Sequence, residues 1–456
     1  MKGYDSYKLS NIEGIKEVPS HWKPIKLKFI GNLYSGLTGK SGNDFYNEDN
    51  PLSRPYINFK NIANNVKINP NQFDLVEIKP NEEQNQVRKG DLFFLMSSEN
   101  YDDIAKTSVL VDDLKETYLN SFCRGFRLSD ENFVPEFLNY LLLSGHYREI
   151  LSNEAKGFTR INIQVGKINN FSIYAPFDKE EQTQIAAFLD YKTNLIDATI
   201  EKKKRLIELL KEKRQAVINE AVTKGLNPNA PMKDSGVEWL GEIPKHWMFK
   251  KTKRNTYMKG RIGWQGLKQE EFIDEGPYLI TGMNFKDGKI RWDEVYHITK
   301  ERYDEAPEIQ LKKGDVLMTK DGTLGKLLYI DELPGPTSLN SHLLVLRCLD
   351  GSYLPKYLYY QLMTNLFHEH IELNKTGTTF FGITQEAVGK YKMLLPPISE
   401  QQEIISFIET QNELFDKLID FVKSNIEKLQ EYRQSIISEA VTGKIDVRNW
   451  QPSKNT

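Results

Sequence analysis

The second half of the chain contains a dense run of cationic side chains, its clearest candidate for binding chemistry. No acidic residue occurs from 250 to 268, where Trp264 and Gln265 lie among the cations Lys250, Lys251, Lys253, Arg254, Lys259, Arg261 and Lys268. Cations pair with phosphates, while an indole and an amide can contact bases, so this combination predicts DNA binding. A charged face that only meets solvent is the alternative.

Polar turns shaped by glycine supply further candidate contacts. One turn, at 319–326, and a second, at 375–379, contribute Lys320, Thr323, Lys326, Lys375, Thr378 and Thr379. The corresponding turn of the first half, together with two separate lysines, contributes Lys156, Thr159, Arg160, Lys40 and Lys60. Short polar side chains and lysines on such backbones can reach base edges or phosphates. An ordinary hairpin turn is equally compatible with each pattern.

Motifs for catalysis are missing from the sequence. A phosphate-binding loop at 36–41 would need glycine where Tyr34 stands, and Gly260, Gly263 and Gly266 do not have dinucleotide-loop spacing. His368 and His370 are two positions apart on a predicted helix and point to different faces. We therefore predict no catalytic residue, no metal site and no cofactor bound by this chain.

Composition sets the broad class of protein. A chain of 456 residues is too long to form one ordinary hydrophobic core, so two or more domains are expected. Its content of 39% hydrophobic and 27% charged residues is typical of a globular protein. The net charge of −2 by itself gives no support to DNA binding. Cys123 and Cys348 lack CxxC partners, and we find no secretory signal or membrane span. We therefore expect a cytoplasmic protein.

The chain repeats itself at a period of domain size. Pro19-Ser20-His21-Trp22 returns as Pro244-Lys245-His246-Trp247, 225 positions later. The Lys-Gly-Asp block at 89–91 returns at 313–315, the Leu-Asn-Ser block at 119–121 returns at 339–341, and the Glu-Ala-Val-Thr block at 220–223 returns at 439–442. Blocks that recur in the same order at nearly constant spacing indicate a duplicated unit rather than a short solenoid repeat.

Each unit changes character along its length. Strand-like runs alternate with turns, and one helix is predicted over 134–151 and its twin over 354–373. Helix-forming stretches without Gly or Pro follow. The predicted fold is α+β, with two similar modules separated by two long helices. The expected divisions are an N-terminal segment (1–17), a first module (18–178), a long helix (179–224), a linker (225–242), a second module (243–397), a second long helix (398–444) and a tail (445–456).

Apolar residues in both long helices are spaced by threes and fours, which predicts a coiled-coil seam. In the first helix they are Leu189, Ile196, Ile200, Ile207, Leu210 and Val217, and in the second Ile408, Phe415, Ile419, Val422, Ile426, Leu429 and Ile436. We expect the two helices to pair antiparallel as a rod of roughly 60 Å. A helix lying on a globular core is the alternative.

Several blocks resemble the specificity subunits of type I restriction-modification systems. They are the central stretch 221–228 with 232–247, the Lys-Lys-Gly-Asp block at 312–315 and the ending 433–446. The resemblance covers essentially the whole chain and implies two modules that each read one half of a bipartite double-stranded DNA target. It also implies a helical rod that docks two methyltransferase subunits. Restriction subunits with translocase and nuclease activity join that core.

On this resemblance the chain itself is non-catalytic, and S-adenosylmethionine, ATP and Mg belong to its partner subunits. Recognition loops vary within the family, so base contacts do not carry over, and the candidate residues above rest on charge and turn chemistry. Two other classes stay open. One is an enzyme with its own methylation or nuclease site, and the other is a coiled-coil interaction protein with two heads that bind ligands other than DNA.

Overall fold

The computed structural model describes residues 2–46, 51–237, 240–261, 266–286, 288–377 and 381–452. Two compact units are present: unit 1 comprises Met1–Lys203 with Lys423–Thr456, and unit 2 comprises Lys204–Val422. Each unit contains one mixed module of strands and short helices, together with part of each long helix. The predicted α+β fold with two similar modules and two long helices is confirmed.

Unit 1 is built on two four-stranded sheets. Its strands are β1 (Tyr7–Leu9), β2 (Glu17–Pro19), β3 (Lys23–Lys26), β4 (Gly31–Ser35), β5 (Phe45–Tyr46), β6 (Ser53–Ile57), β7 (Asp74–Glu77), β8 (Leu92–Leu95), β9 (Ser97–Ser98), β10 (Thr107–Val109), β11 (Tyr118–Leu119), β12 (Cys123–Leu128), β13 (Ile161–Asn162) and β14 (Ser172–Ala175). Its helices are α1 (Phe59–Asn64), α2 (Pro135–Leu143), α3 (Gly145–Asn153), α4 (Val165–Asn169) and the start of the long helix α5 (Lys179–Lys224). The sheets have the orders β10-β8-β12-β4 and β11-β6-β7-β5.

Unit 2 contains the remaining elements. Its strands are β15 (Met232–Asp234), β16 (Glu242–Pro244), β17 (Met248–Lys251), β18 (Thr256–Lys259), β19 (Ile273–Ile280), β20 (Phe285–Lys286), β21 (Lys289–Ile290), β22 (Tyr296–His297), β23 (Val316–Thr319), β24 (Leu327–Tyr329), β25 (Thr337–Leu339), β26 (Leu343–Cys348) and β27 (Lys392–Leu395). Its helices are α6 (Lys300–Asp304), α7 (Pro355–Leu362), α8 (Asn365–Asn374), α9 (Gln385–Lys390) and the start of the long helix α10 (Ile398–Val441).

The sequence repeat is also a repeat of topology. The antiparallel order β10-β8-β12-β4 of unit 1 corresponds to β24-β23-β26-β18 of unit 2. In both units a neighbouring sheet contains one parallel pair, β11 with β6 and β25 with β19. The strand that enters each module pairs with the strand that precedes the long helix, β3 with β14 and β17 with β27. The two modules therefore fold in the same way.

The single helices predicted over 134–151 and 354–373 are wrong, because each is broken into two. In unit 1 the break is at Ser144, whose backbone is extended and whose hydroxyl donates to the Leu141 carbonyl. In unit 2 it is at Thr364, which is also extended and donates to the Gln361 carbonyl. A hydroxyl that bonds nearby backbone competes with the helical hydrogen bonds, which explains both breaks.

The long helices run antiparallel within each unit. In unit 1 the Phe188 ring contacts Trp450, whereas Asp197, further along α5, pairs with Arg433 at 2.8 Å. In unit 1 the start of α5 and the end of α10 meet at Trp22, and in unit 2 the end of α5 and the start of α10 meet at Trp247, which defines the antiparallel direction. In unit 2, Arg214 pairs with Asp416. Both ion pairs are partly open to solvent, so the burial of apolar side chains between the helices is the larger stabilising contribution.

The predicted seam residues lie on the less exposed side of both helices. Those that are buried are Leu189, Ile196, Ile200, Ile207, Ile408, Phe415, Ile419, Val422 and Ile436. Those that are half-buried are Leu210, Val217, Ile426 and Leu429. Next to Val217, the fully buried residue is Ile218, which packs with Ala221 and Ile408 in the core of unit 2.

A buried tryptophan joins the two long helices to each module. In unit 1 the Trp22 indole donates to Glu181, near the start of α5, at 2.9 Å. Tyr4 donates to the same carboxylate at 2.8 Å, and His21 Nε2 lies 2.8 Å from it. Gly443, just after the end of α10, packs its left-handed backbone (φ +72°) against Pro19 and Trp22. A side chain there would overlap Pro19, so glycine is required.

Unit 2 repeats this arrangement with its own residues. The Trp247 indole donates to Glu400 near the start of α10 at 3.1 Å, and His246 Nε2 lies 2.7 Å from the same carboxylate. Gly225, after the end of α5, adopts φ +74° beside Trp247 and Glu400. Each tryptophan thus lies where one long helix begins and the other ends. The recurring His-Trp pair is accounted for by this packing.

The glutamine after each glutamate completes the junction. Gln182 accepts from the Val134 backbone and donates to the carbonyls of Asn132 and Pro176. Gln401 makes the matching bonds in unit 2, to Leu354, Ser352 and Pro396. Both side chains are completely buried. Because a buried amide must satisfy its donors and acceptor, these residues define the register of each long helix on its module.

The repeated Lys-Gly-Asp blocks also serve internal structure. Asp91 accepts two hydrogen bonds from Arg127 and one from the Tyr34 hydroxyl at 2.6 Å. In unit 2 Asp315 accepts two from Arg347. Each aspartate is buried, and such bidentate pairs are among the stronger hydrogen bonds in proteins. The recurring blocks therefore stabilise the modules from within.

Replacement of Glu181 by Ala should destabilise the protein more than replacement of Glu400. The Glu181 side chain is 3% exposed and that of Glu400 24%, and Glu181 also accepts from the buried hydroxyl of Tyr4, so its loss leaves one more buried donor unpaired. Each buried group left unpaired costs ~1–3 kcal/mol. Urea unfolding measures the difference, with the exposed neighbour Glu180→Ala as the matched control. Equal losses at Glu181 and Glu400 would contradict this account.

Candidate nucleic-acid interface

The structure divides the predicted cationic run of unit 2 into exposed and internal residues. Exposed members, all around strands β17 and β18, are Lys251, Lys253, Arg254 and Lys259, together with Lys268 further along the chain. Trp264 and Gln265 lie outside the described residues. No acidic residue interrupts this run in the sequence, so its exposed cations remain candidates for phosphate contacts.

Arg261, in contrast, is 2% exposed and serves the interior of unit 2. Its guanidinium donates to the Leu339 carbonyl and the Ser338 hydroxyl, both at 3.0 Å. Burial and the nearby Arg302 lower the pKa of Arg261. We correct its assignment as a DNA contact, since its donors are directed at the protein and not at a ligand.

Lys40 and Lys250 also have partners within the protein. The Lys40 side chain is 4% exposed and binds Glu82 and the Glu77 carbonyl, both at 2.5 Å, so we correct its assignment too. Lys250 lies 2.6 Å from Asp350, and this hydrogen bond holds the pKa of Asp350 well below its usual range. Lys250 is half-exposed, but its charge is already compensated. Lys60 is exposed on helix α1.

The turn after β23 is closed by hydrogen bonds between the Thr319 side chain and the backbone of the turn. The Thr319 hydroxyl donates to the Thr323 carbonyl at 2.5 Å and accepts from the Lys326 backbone at 2.9 Å. Gly322 and Gly325 adopt φ of +70° and +71°. Thr323 and Lys326 are exposed, and Lys320 is half-buried. The turn therefore presents a hydroxyl and an amine on a hydrogen-bonded backbone.

A cation lies over an aromatic ring at the next loop of unit 2. Lys375 Nζ is 4.6 Å from the centroid of the Phe381 ring and 2.6 Å from Glu372. The backbones of Thr376 and Gly382 pair across the loop. Thr378 and Thr379 lie between them, outside the described residues. The described part of this loop thus combines a cation with an aromatic face.

Unit 1 has a comparable loop between α3 and β13. The Lys156 and Asn162 backbones exchange two hydrogen bonds of 2.9 Å, which close a narrow hairpin. Lys156, Thr159 and Arg160 are all exposed on it. The Arg160 guanidinium lies 4.5 Å from the centroid of the Phe122 ring. Cation and aromatic ring are therefore juxtaposed in both units.

Sequence reasoning missed the aromatic members of these loops. Phe122, Phe158 and Phe381 are all exposed. Phe158 and Phe381 each stand next to a glycine in a polar turn, where a core residue is not expected, whereas Phe122, between Ser121 and Cys123, has no such signal. The charge pattern indicates the cations and threonines of the turns but not the rings.

Metal sites and membrane-spanning helices are two other classes of feature to consider in this chain. Among the described residues, no cluster of His, Cys, Asp and Glu is suited to hold a metal ion. Over the same part of the chain, no helix has the length and apolar character needed to span a membrane.

The architecture defines a duplicated α+β recognition module carried on paired long helices. A family model described as the type I restriction modification DNA specificity domain matches residues 19–210 and 264–431. Because these ranges cover more than half of the chain, the protein belongs to the type I restriction-modification specificity-subunit family.

Individual relatives agree with this membership. The chain is 23% identical over 456 residues to the MjaVIII specificity subunit of Methanocaldococcus jannaschii, covering 98% of both chains. It is 24% identical to the EcoKI specificity subunit of Escherichia coli K12, covering 94% of this chain and 90% of the relative. It therefore spans almost the full length of both relatives.

Solved structures share the fold. A chain from a structure on complex assembly and conformational transition of the type I R-M system has a TM-score of 0.70 at 17% identity. The match covers 94% of this chain and 99% of that one. The HsdS subunit from Thermoanaerobacter tengcongensis has a TM-score of 0.53 at 17% identity, covering 96% and 100%.

Replacing Lys251, Lys253 and Arg254 together by Ala should weaken DNA binding and flatten its salt dependence. Each phosphate contact adds about 0.9 to the slope of log K against log salt, so three lost contacts reduce it by up to about 3. Titration of labelled duplex over a series of salt concentrations measures this slope. The exposed triple Lys289, Lys312 and Lys313 of the same unit is the control with equal charge change. If both triples change the slope equally, the run at 251–254 is not a specific interface.

Proposed function

We propose that this chain is the DNA-recognition subunit of a type I restriction-modification complex, and that each module reads one half of a bipartite target. The observation that carries the proposal is the presence of one module twice in one chain, with the same internal ion pairs and junctions but different loops. A duplicated scaffold with divergent loops is suited to reading two different short sequences, because loops can change without disturbing the core.

The chemistry of the loops supports DNA as the ligand. Each module presents a cation over an aromatic ring, Arg160 with Phe122 and Lys375 with Phe381. Arg160 carries more of the argument, because it is exposed whereas Lys375 is half-buried and paired with Glu372. Cations contact phosphates, and guanidinium groups and amines also read guanine in the major groove. The exposed hydroxyl of Thr323 adds a group that can donate or accept at a base edge.

We further propose that the long helices dock two methyltransferase subunits. Large apolar side chains are exposed along these helices, outside the buried seam: Leu195, Leu206 and Leu209 on α5, and Phe407, Leu414, Leu418 and Phe421 on α10. Exposed apolar residues that recur on a helix are typical of a surface that a partner covers. Restriction subunits with translocase activity would join this core.

In this complex the chain recognises the DNA target, and its partner subunits carry out the reactions. S-adenosylmethionine would bind to the methyltransferase subunits, and ATP and Mg to the translocase subunits. The chain would therefore be non-catalytic, and we place the complex in the cytoplasm, where it would meet both DNA and its partner subunits. Family membership supports this division of labour.

Co-expression with the methyltransferase gene and mapping of adenine methylation test the proposal. The expected result is one bipartite motif, methylated on both strands. Exchange of residues 18–178 for the module of another family member should change one half of the motif and leave the other half unchanged. A stable complex without methylation would overturn the proposal and favour a protein that serves only in assembly.

Leu414→Asp combined with Leu418→Asp should abolish co-purification with the methyltransferase subunits, because two charges would replace exposed apolar contacts. Helicity measured by circular dichroism should stay unchanged, since both side chains lie outside the buried seam. Lys417→Asp, exposed on the same turns, is the matched control and should leave assembly intact. Normal co-purification of the double variant would remove this helix face from the interface.

A further inference from the structure

The hairpin between α3 and β13 in unit 1 presents a phenyl ring to solvent at its tip. Phe158 has a relative exposure of 105%, whereas most of the large apolar residues of unit 1 are buried. It is flanked by exposed Lys156, Thr159 and Arg160, so the loop is cationic around an apolar tip. A fully exposed ring gains nothing from the fold of the protein alone. Its position is therefore better explained by a ligand.

The backbone of the hairpin is built to hold this ring outward. Gly157 has φ +150°, a conformation reserved for glycine. A side-chain carbon at Gly157 would lie 2.0 Å from the Arg160 carbonyl oxygen, so no other residue fits without moving the loop. The two backbone bonds between Lys156 and Asn162 close the base of the hairpin. Below it, β13 pairs with β9, which connects the hairpin to the module.

A second ring lies beside the hairpin and orients its arginine. Arg160 stacks over Phe122 with its guanidinium 4.5 Å from the ring centroid, while Phe122 itself is 46% exposed. Stacking restricts the arginine and leaves its planar edge available for bidentate contacts. The hairpin thus offers an apolar tip and, close to it in the chain, a positioned cation.

We propose that Phe158 is a wedge that inserts between two base pairs of the half-site read by unit 1, while Arg160 and Lys156 hold the neighbouring phosphates. This inference rests on the proposed DNA-recognition function. Apolar side chains used in this way partially unstack a base step and kink the duplex. The flanking cations favour DNA over an apolar protein surface, because they would be desolvated without partners in a protein interface.

A wedge also has a consequence for the target sequence. Pyrimidine–purine steps unstack and kink at lower energetic cost than other steps. The half-site of unit 1 should therefore contain such a step at the position that Phe158 enters. Part of the specificity of unit 1 would then come from the deformability of DNA and not from hydrogen bonds to base edges.

The test uses the full complex with its methyltransferase subunits and a duplex carrying the mapped target. 2-Aminopurine is placed at successive positions of the half-site, away from the methylated adenine, so that base flipping for methylation does not contribute. We expect a fluorescence increase at one step with the natural chain. Phe158→Ala should abolish it and weaken binding about 5- to 150-fold, the equivalent of one lost base-stacking contact. Phe158→Trp should retain both.

Two controls separate the wedge from a general loss of surface. Phe29→Ala removes another exposed phenyl ring of unit 1, which lies beside Lys28, and should change neither signal. Gly157→Ala retains the phenyl ring of Phe158 but distorts the hairpin that positions it. It should therefore reproduce the Phe158→Ala result. Co-purification and thermal melting confirm that each variant is folded and assembled.

A double-mutant cycle tests the link to deformability. Replacing the pyrimidine–purine step by a stiffer step should weaken binding of the natural chain but have much less effect on Phe158→Ala. Unchanged affinity and fluorescence in Phe158→Ala would overturn the wedge while leaving DNA recognition intact. Absence of sequence-specific binding by the natural complex would instead overturn the proposed function, and the wedge with it.

Discussion

At the start of each long helix, one glutamate accepts hydrogen bonds from the module. The rest of the structure depends on this interaction. Glu181 binds Trp22, His21 and Tyr4, and Glu400 binds Trp247 and His246. A carboxylate that accepts from several fixed donors is strongly directional, and in unit 1, where Glu181 is buried, the indole and phenol left without it would be unpaired. The direction in which each helix leaves its module is set there.

In each unit the same tryptophan also contacts the end of the other long helix. Gly443 contacts Trp22 and Gly225 contacts Trp247, so the end of one helix and the start of the other share one indole in each unit. Apolar packing on the ring and a polar bond at its nitrogen are satisfied together, which is the usual requirement for a buried tryptophan. In unit 1 this contact joins residues from opposite ends of the chain.

This arrangement explains which residues recur between the halves. The His-Trp pairs, the aspartates of the Lys-Gly-Asp blocks and the glycines after the helices all have internal roles. Residues that differ between the halves, such as Phe158 and the turn at 319–326, lie on loops at the surface. Selection for a common scaffold and for two different ligands would produce this separation. The shared part supports the module, and the different part is free to recognise a ligand.

The sequence by itself determined the duplication, the α+β class and the two long helices, because these depend on local composition and on self-similarity. Helix formers without Gly or Pro specify a long helix wherever it lies. The break of the predicted helices at Ser144 and Thr364 depends on one hydroxyl each, a signal too small to outweigh the apolar pattern around it. That detail required the backbone conformation.

Only the tertiary structure decided which cations face solvent. Arg254 and Arg261 belong to the same run and carry the same charge, yet Arg261 alone of the two is buried, by contacts with Ser338 and Leu339, more than 70 positions away. Lys40 is likewise removed from the surface by Glu82. The glycine beside Phe158 indicates a turn, but only the tertiary contacts decide that its ring packs on no core. Burial is a property of long-range contacts, and these exist only once the chain has folded.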